Sequence, residues 1–554
     1  MASITALDEV EAVTIRRTPA RAGAIGEWPQ WIDARVRGCF ARVGVERPWL
    51  HQQRGLEALH RGRDLVLATA TASGKSLVYQ APVLQAALTD PASRALFLFP
   101  TKALARDQVE ALRSLIDESS PLAGCVGAGT YDGDTPPDQR RAARARAHVI
   151  ASNPDMLHRA VLPHHDRWAS FLAGLRYVVI DELHTYRGVF GSHVANVLRR
   201  LWRVCAFHGS RPQVIACSAT IANPAELAES LCAGRSESTR FEIIDESTAP
   251  VGSRTFVVLN PAVVDPLTGV RRDYLKCARA VLARLRGANV TTLAFCRTRK
   301  AVELLTRYLR EDEAGVVEHG RSPLAPPTGS SSSTGAQRGP AGAVGPWARM
   351  HGKREREHFR RESEARGPVD LGAVDRAQRS IRGYRGGYLP EHRREIEAAL
   401  RRGEAKLVAS TNALELGMDI GGLDAVVLAG YPGTRAATWQ RAGRAGRRQE
   451  PALTILVLSS RPLDQFVAAA HEFLFGAPPE HARIDALNPE ILVPHLRCAA
   501  YELPFSQPAS VGARAGEAEH DPSSSWWSSW GGLSGQELFG ALDYLAERGA
   551  LLRE

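Results

Sequence analysis

Short apolar runs rich in β-branched residues alternate along this chain with longer segments of helical periodicity. Runs at residues 64–70, 95–101, 149–152, 177–181 and 214–220 have the length of buried strands, as do later runs at 291–297, 406–411, 425–429 and 453–458. Residues 77–87, 104–116 and 192–205 have the length and period of helices. Strands that end in polar turns and alternate with helices indicate parallel α/β sheets with ligands at the carboxyl ends of the strands. The two sets divide near residue 245 and predict two such domains.

The regular pattern stops between residues 317 and 381. Residues 322–335 are rich in Ser, Pro and Gly, which is typical of a linker, and residues 353–366 form a dense run of charges. These two segments predict a flexible insertion at 318–380, with an arm that contacts nucleic acid as the alternative. The predicted parts are an N-terminal extension (1–44), two α/β domains (45–245 and 246–480) and a C-terminal region (481–554). In that last region Trp526, Trp527 and Trp530 are expected to complete a small core, in preference to a platform for stacking bases.

Charge and cysteine content narrow the class of protein. The 554 residues include 70 Lys and Arg against 60 Asp and Glu, a net charge of +10, of which +5 lies between residues 313 and 385. Net charge is therefore weak evidence for a nucleic-acid partner, because half of it belongs to the predicted insertion. No membrane span is expected, since no long apolar run occurs. The eight cysteines are scattered without a CxxC pair, which favours reduced thiols in the cytoplasm and argues against a structural zinc site.

A candidate phosphate-binding loop follows the first predicted strand. It consists of Thr71, Ala72, Ser73, Gly74, Lys75 and Ser76, and it leads into a helix, as such a loop requires. Backbone N–H groups and the helix N-terminus bind anionic oxygens, while Lys75 reaches the β and γ phosphates and Ser76 ligates Mg²⁺. Lys75 is one of only six lysines among 70 basic residues; coding bias explains the many arginines, whereas a compact charge on phosphate explains this lysine. Thr69 and Ala72 stand where glycine is common.

Two further clusters would complete an ATP site. Asp181 and Glu182 end an apolar strand, which places the first carboxylate on a metal ion and the second near an attacking water. In residues 440–447, arginines at a spacing of three lie on one helix face and can clamp a γ phosphate across a domain interface. A basic surface helix that contacts the DNA backbone is the alternative for this segment. Together the clusters predict ATP held by one domain and completed by an arginine of the other.

The order of these clusters resembles that of superfamily 2 helicases of the DEAD/DEAH-box kind. Nine motifs of that family have counterparts here in the same order: residues 47–52 (the adenine-reading Q motif), 68–76 (I), 100–105 (Ia), 152–157 (Ib), 181–184 (II), 218–220 (III), 295–299 (IV), 411–419 (V) and 440–447 (VI). The resemblance implies an α/β fold of two tandem RecA-like parallel-sheet domains, followed by a partial winged-helix region. It also implies ATP and Mg²⁺ as cofactors.

The same resemblance assigns roles to individual residues. Catalytic roles fall on Lys75, Asp181, Glu182, Gln440, Arg444 and Arg447, with Ser76 and Asp181 as the Mg²⁺ ligands. Nucleotide binding falls on Gln52, on Thr71, Ala72, Ser73, Gly74, Lys75 and Ser76, and on Asp419 at the ribose. Contact with nucleic acid falls on Thr101, Lys102, Ser152, Asn153, Arg297 and Thr411. Ser218, Ala219 and Thr220 would couple hydrolysis to strand movement.

A closer resemblance is to the MrfA/YprA-type and Lhr-related DNA helicases. It is carried by residues 181–193, 384–391, 488–492 and 498–504. It implies an ATP-dependent 3′-to-5′ DNA helicase that acts in DNA repair on single-stranded or tailed duplex DNA. An RNA helicase, and a DNA-stimulated ATPase or clamp that does not unwind, are the alternatives. Such helicases continue into a zinc-binding cysteine cluster, whereas this chain stops at Glu554, so no zinc site is expected in it.

Overall fold

Two seven-stranded β-sheets organise the part of the chain that the computed structural model describes. That part comprises residues 9–70, 72–219, 221–235, 241–313, 371–415, 423–446, 450–505, 530 and 533–552. In chain order its strands are β1 (Val10–Thr18), β2 (Leu65–Ala68), β3 (Arg94–Leu98), β4 (Ala128–Thr130), β5 (Val149–Ser152), β6 (Leu175–Ile180), β7 (Gln213–Ser218), β8 (Glu242–Ile244), β9 (Arg254–Pro261), β10 (Val263–Asp265), β11 (Val270–Arg271), β12 (Thr292–Cys296), β13 (Ile381–Tyr384), β14 (Leu407–Ser410), β15 (Ala425–Ala429) and β16 (Ala452–Val457).

Helices cover both faces of these sheets. In chain order the α-helices are α1 (Ala34–Arg42), α2 (Leu50–His60), α3 (Lys75–Thr89), α4 (Lys102–Leu115), α5 (Pro137–Arg146), α6 (Pro154–Met156), α7 (Ala169–Ala173), α8 (Gly188–Phe207), α9 (Pro224–Leu231), α10 (Tyr274–Gly287), α11 (Arg299–Glu313), α12 (Leu371–Ser380), α13 (Pro390–Arg401), α14 (Arg435–Ala442), α15 (Pro462–Ala469), α16 (Glu472–Gly476), α17 (Pro489–Glu502) and α18 (Gly535–Glu547). Because helices pack on both sides, the central strands are buried on both faces, which explains their continuous apolar runs.

The first sheet is wholly parallel, in the order β4-β5-β3-β6-β7-β2-β8. The five strands expected in this half of the chain are confirmed as β2, β3, β5, β6 and β7. The two strands that the pattern did not predict, β4 and β8, have three residues each and form the two edges of the sheet. So few residues carry too weak a periodic signal to be recognised in a sequence.

The second sheet has the order β1-β9-β16-β15-β12-β14-β13. Its expected strands are confirmed as β12, β14, β15 and β16, whereas β9 and β13 were not predicted. Strand β1 pairs antiparallel with β9, from Val10 opposite Pro261 to Thr18 opposite Arg254. The region that the sequence treats as an N-terminal extension thus contributes an edge strand to the second domain. Its helix α1 buries Phe40 in the core of the first domain.

Three stretches of backbone join the domains: one lies between α16 and Ala482, and the other two run side by side. Arg21 N donates to Val251 O over 2.8 Å, and Val251 N donates back to Arg21 O over 3.0 Å. Ala24 N donates to Thr248 O over 2.9 Å. The chain therefore leaves β1 for the first domain beside the segment by which it returns to β9. We call residues 19–24 together with 248–251 the interdomain strap.

Part of the expected insertion at 318–380 belongs to the fold. Helix α12 covers its last ten residues and leads directly into β13, and Ala377 on that helix is buried. A composition rich in charge and poor in apolar residues extends up to this helix, which is why the sequence did not separate it from the segment before it. Residues 318–370 lie outside the described residues.

The C-terminal region packs against helix α8 of the first domain. Ala482, Ala486 and Leu503 belong to the core of that domain. The side-chain amide of Asn196 donates to Ala486 O over 2.8 Å, which fixes the segment before α17 to the middle of α8. The contact is therefore continuous with the domain core and is not a loose surface association.

Helices α17 and α18 enclose a small core of their own. Trp530 is buried in it, and its indole N–H donates to Asn196 Oδ1 over 3.1 Å. The expectation that Trp530 completes a terminal core is confirmed, while Trp526 and Trp527 lie outside the described residues. The partial winged helix stays a prediction, because most of the chain between the two helices is not described either.

A buried ion pair lies at the centre of the contact with α8. Arg200, which is 0% exposed, pairs with Glu502 through two hydrogen bonds, of which the one from Nε to Oε2 is 3.0 Å long. Its Nη1 also lies 2.6 Å from His158 Nδ1 and 3.2 Å from His495 Nδ1. Burial, aided by the charge of Arg200, lowers the pKa of His158 to about 4 and that of His495 to about 2. Both rings are therefore neutral at pH 7 and accept from the guanidinium.

We expect Glu502→Gln to lower the free energy of unfolding by about 3–5 kcal/mol, because it leaves the Arg200 charge buried without its carboxylate partner. Urea unfolding followed by tryptophan fluorescence measures this change, since Trp530 lies in the adjoining core. Glu490→Gln, an exposed change on the same helix, serves as the control. Equal midpoints for the two variants would contradict the assigned role of the pair.

Candidate functional site

The carboxyl edge of the first sheet is divided between two groups of candidate residues. The adjacent strands β6, β7 and β2 lead into Asp181, Ser218 and the loop of Lys75. The other neighbours, β4, β5 and β3, lead into the segments that hold Asn153 and Thr101. Parallel strands bring their carboxyl ends to one edge, so the phosphate candidates are gathered on one half of it and the nucleic-acid candidates on the other.

The backbone of the phosphate loop depends on two positions. Gly74 has a φ of 80°, and a Cβ atom there would lie 2.4 Å from Nε2 of Gln52, so only glycine fits. Ala72 has a φ of 61°, in the left-handed region that a residue with a Cβ rarely adopts. Such a conformation costs about 1–3 kcal/mol, which is the physical reason that glycine is common at this place.

Gln52 holds the phosphate loop through both ends of its side-chain amide. Its Oε1 accepts from Trp49 N over 2.7 Å, and its Nε2 donates to Gly74 O over 2.8 Å. The residue is 3% exposed. The resemblance assigned Gln52 to nucleotide binding, whereas in this structure the amide is engaged within the protein. Its contact with a nucleotide stays a prediction.

The Lys75 ammonium group and the hydroxyl groups of the loop also form hydrogen bonds within the loop. Lys75 Nζ donates to the carbonyls of Thr69 and Ala70, over 2.8 and 3.1 Å. The hydroxyl oxygens of Thr69 and Ser73 are 2.7 Å apart, so Thr69, which replaces a common glycine, cross-links the loop. Lys75 and Ser76 occupy the first turn of α3, whose N-terminus points its N–H groups into the loop.

Asp181 and Glu182 lie at the end of β6 beside this loop. Burial, together with the neighbouring Glu182 charge, raises the pKa of Asp181 to about 7, although Lys75 opposes the shift. Glu182 has a φ of 52° and its N–H donates to Asp181 Oδ1 over 2.9 Å. The buried carboxylate of Asp181 and the hydroxyl of Ser76 are hard oxygen donors, which suits Mg²⁺ held partly by substrate phosphates.

His184 connects this pair to the candidate coupling segment. Its Nδ1 accepts from Ala219 N over 3.2 Å, lies 3.5 Å from Ser218 Oγ and lies 3.5 Å from Glu182 Oε2. Burial lowers the pKa of His184, so the ring acts as a neutral acceptor. The sequence placed His184 inside a motif but gave it no role. Only the pairing of β6 with β7 brings it to Ser218 and Ala219.

The nucleic-acid candidates of the first domain differ in exposure. Thr101 and Lys102 are exposed at the start of α4, where Lys102 Nζ pairs with Asp134 Oδ1 at 2.8 Å. Asn153 Oδ1 accepts from Met156 N and caps the next helix. Ser152 is 1% exposed and its hydroxyl donates to Tyr131 O over 2.6 Å. The Ser152 side chain is therefore buried as a link between β4 and β5, and its contact with nucleic acid stays a prediction.

In the second domain, Glu415 organises the arginine cluster. Gln440 lies in α14 and Arg444 follows the end of that helix. Glu415 Oε2 accepts from Arg441 Nη2 and Nε, over 2.7 and 2.9 Å, and its main-chain oxygen accepts from Arg444 Nη2 over 2.7 Å. Glu415 was not predicted from the sequence, because the spacing of the motifs does not show which carboxylate pairs with which arginine.

Arg297 and Thr411 also have partners within the second domain. Arg297 Nη1 donates over 3.1 Å to Asp464, a carboxylate that is 0% exposed and also accepts from Ser459. Thr411 is buried at the end of β14, and its N–H points to Tyr384 O at 3.4 Å. Their contact with nucleic acid stays a prediction.

Four of the assigned residues, Thr71, Thr220, Asp419 and Arg447, lie outside the described residues. In the part of the chain that is described, no group of three or more His, Cys, Asp or Glu side chains is placed to hold a metal ion. None of the described helices is long and apolar enough to cross a membrane.

A phosphate loop, an Asp-Glu pair and an arginine cluster, carried by one parallel sheet and one sheet that is parallel except for its edge strand β1, define a two-domain ATPase of the RecA-like kind. The model of the DEAD/DEAH box helicase family matches residues 49–227, and that of the helicase conserved C-terminal domain matches residues 369–449.

The chain is also similar to individual helicases over most of its length. It is 42% identical to the ATP-dependent helicase YprA of Bacillus subtilis over 88% of this chain and 56% of YprA. It is 37% identical to the ATP-dependent helicase HRQ1 of Saccharomyces cerevisiae over 83% of this chain and 38% of HRQ1. A crystal structure of the helicase MrfA bound to DNA and AMPPNP covers 100% of this chain and 65% of its own, with 38% identity and a TM-score of 0.79.

The chain belongs to the superfamily 2 DEAD/DEAH-box helicases, as the motif order implied, and to the group of YprA and MrfA, as the closer resemblance implied. It spans about half the length of the curated relatives it matches, 56% of YprA and 38% of HRQ1.

We expect the affinity for Mg²⁺ with AMPPNP to fall by up to about tenfold for each pH unit below 7. A pKa of about 7 means that Asp181 is increasingly protonated below that pH, and the proton competes with the metal ion. Isothermal titration calorimetry at pH 6, 7 and 8, in buffers of different ionisation enthalpy, measures both affinity and proton release.

Asp245→Asn, at an exposed carboxylate of the same domain, should keep this pH dependence, and Asp181→Asn should lose it. Equal pH dependence in wild type and Asp181→Asn would show that another group titrates.

Proposed function

We propose that the chain is an ATP-dependent DNA helicase that moves 3′ to 5′ along one strand and acts in DNA repair. The observation that carries this proposal is the division of one sheet edge between the ATP residues and the strand-contact residues, since hydrolysis and strand movement then share one rigid element. The similarity to a helicase solved with DNA and AMPPNP, across 100% of this chain, supports DNA over RNA as the partner.

In the proposed cycle, Lys75 and the N–H groups of α3 bind the β and γ phosphates. Ser76 and Asp181 would hold Mg²⁺, which when bound adds positive charge on the phosphate oxygens. Glu182 orients or deprotonates the attacking water. Arg444 and Arg447 approach from the second domain and stabilise the charge that develops on the transferring phosphoryl group.

Movement of the strand would follow from the opening and closing of the two domains around ATP. The γ phosphate is sensed by Glu182, and the contact of His184 with Ser218 and Ala219 passes a change at Glu182 to the neighbouring strand β7. The exposed Thr101 and Lys102 contact the strand backbone, which carries little sequence information. The proposed helicase is therefore specific for structure more than for sequence.

We expect Lys75→Ala to abolish DNA-stimulated ATP hydrolysis and strand displacement together, because the variant lacks the positive charge that binds the β and γ phosphates. Both activities are measured on a duplex with a 3′ single-stranded tail. Lys276→Ala, at an exposed lysine of the second domain, should behave as wild type. Turnover by Lys75→Ala that matches this control would contradict the assignment of the ATP site.

The same pair of assays separates the proposed helicase from its alternatives. Hydrolysis without displacement by the wild-type chain would indicate a DNA-stimulated ATPase or clamp. Stronger stimulation by RNA than by DNA of equal length would indicate an RNA helicase. Displacement that requires a 5′ tail would overturn the proposed direction.

We expect Arg444→Ala to lower the maximal rate of ATP hydrolysis by about 10³-fold while ATP affinity changes little. An arginine that acts on the transferring phosphoryl group contributes in the transition state more than in the bound complex. Steady-state hydrolysis and titration with a fluorescent nucleotide measure the two quantities. Arg461→Ala, at an exposed arginine of the same domain, is the control, and a loss of affinity alone would reassign Arg444 to nucleotide binding.

We further propose a cytoplasmic location. All eight cysteines are unpaired in the structure, and seven of them are buried or partly buried, as suits a reducing compartment.

A further inference from the structure

An arginine-lined cavity lies at the edge of the first sheet, outside every helicase motif described above. Its volume is about 250 Å³, and it is lined by Tyr131, Pro137, Arg140, Arg141 and Arg144. All three arginines belong to α5, at spacings of three and four residues that place them on one helix face. Three guanidinium groups therefore border a single opening.

The arginines of this cavity are not neutralised by nearby carboxylates. Within the described residues no ion pair joins Arg140, Arg141 or Arg144 to an acid, and the buried Nε of Arg140 has no hydrogen-bond partner. Asp138, which lies in the first turn of α5, forms no ion pair with them in the described part of the chain, and Asp132 and Asp134 just before the helix are engaged by Arg106 and Lys102. Like charges at these spacings repel one another, so an anion that enters the cavity removes an unfavourable interaction.

The position of the cavity indicates which anion it takes. Tyr131, on its wall, follows β4, and its carbonyl accepts from Ser152 of the neighbouring strand. Two residues further on, a Cβ at Gly133 would lie 3.2 Å from Nζ of Lys102. The wall of the cavity is thus bonded through Tyr131 to Ser152, and the loop that continues from Tyr131 reaches Lys102, on the half of the sheet edge that holds the strand-contact candidates.

We propose that Arg140, Arg141 and Arg144 bind the phosphate backbone of the single DNA strand that passes over Thr101 and Lys102. This inference rests on the proposed DNA helicase function and extends its strand-contact surface beyond the motifs, onto helix α5. The planar guanidinium groups suit bidentate contact with phosphate oxygens, and they read no base edges. The cavity therefore increases the number of nucleotides that the protein contacts and does not select their sequence.

The test measures binding of single-stranded DNA to the full chain by fluorescence anisotropy over a series of salt concentrations. Arg141→Ala with Arg144→Ala should weaken binding by about tenfold, and should reduce the slope of log K against log salt by about 1.4, because two phosphate contacts are lost. Arg146→Ala removes an exposed arginine of the same helix that does not line the cavity, and should match wild type. The single variant Arg141→Ala, at an exposed position, gives about half of the slope change if the double variant folds poorly.

Each other outcome overturns the inference. If the double variant has the DNA affinity and salt slope of the wild type, the strand does not contact the cavity. If Arg146→Ala loses as much DNA affinity as the double variant, the effect reflects the overall positive charge of the helix and not the cavity. A loss confined to blunt duplex of equal length would move the contact off the single strand. A cavity that takes inorganic phosphate alone would show phosphate binding that the double variant lacks, with DNA affinity unchanged.

Failure of the proposed function is distinguishable, because it would appear in the wild-type chain itself, as absent DNA binding or absent strand displacement, and not as a difference between the variants.

Discussion

The parallel direction of every strand in the first sheet is the constraint on which the rest of this structure depends. It forces the carboxyl ends of seven strands to one edge, and the strand order then sorts them into neighbours. Because β6, β7 and β2 are adjacent, Asp181 and Ser218 meet the loop of Lys75 although they are distant in sequence. The other half of that edge is left for a different ligand, and no flexible element is needed to connect the two halves.

Much of the fold and the identity of the motif residues could be predicted from the sequence, whereas their partners could not. Strands such as β2 and β15, which are buried on both faces, consist of continuous apolar runs, whereas β4 and β13 lie at sheet edges and include small or polar residues. Lys75 and Asp181 stand out because their chemistry needs a fixed local spacing. His184, Glu415 and the arginines of α5 act across the fold, through side-chain directions that no local spacing encodes.

The cations of the site are held by the protein's own oxygen atoms. Lys75 donates to two loop carbonyls, Arg444 to the carbonyl of Glu415, and Arg441 to its carboxylate. A phosphate group that binds Lys75 exchanges these hydrogen bonds for new ones, so the net gain is smaller than the strength of the contact suggests. The arginines around the cavity on α5 differ in this respect, because within the described residues no carboxylate holds them.

The interdomain strap has a mechanical consequence. A single strand of linker can bend and twist in all directions, whereas two antiparallel segments bonded to each other at Arg21 and Val251 form a ribbon that bends across its flat face far more easily than within its plane. Bending of this ribbon favours rotation of one domain against the other about the axis that lies across its width, while residues 477–481 form a separate connection between the domains. In the proposed ATP cycle, this ribbon is the element that would bend as the two domains open and close.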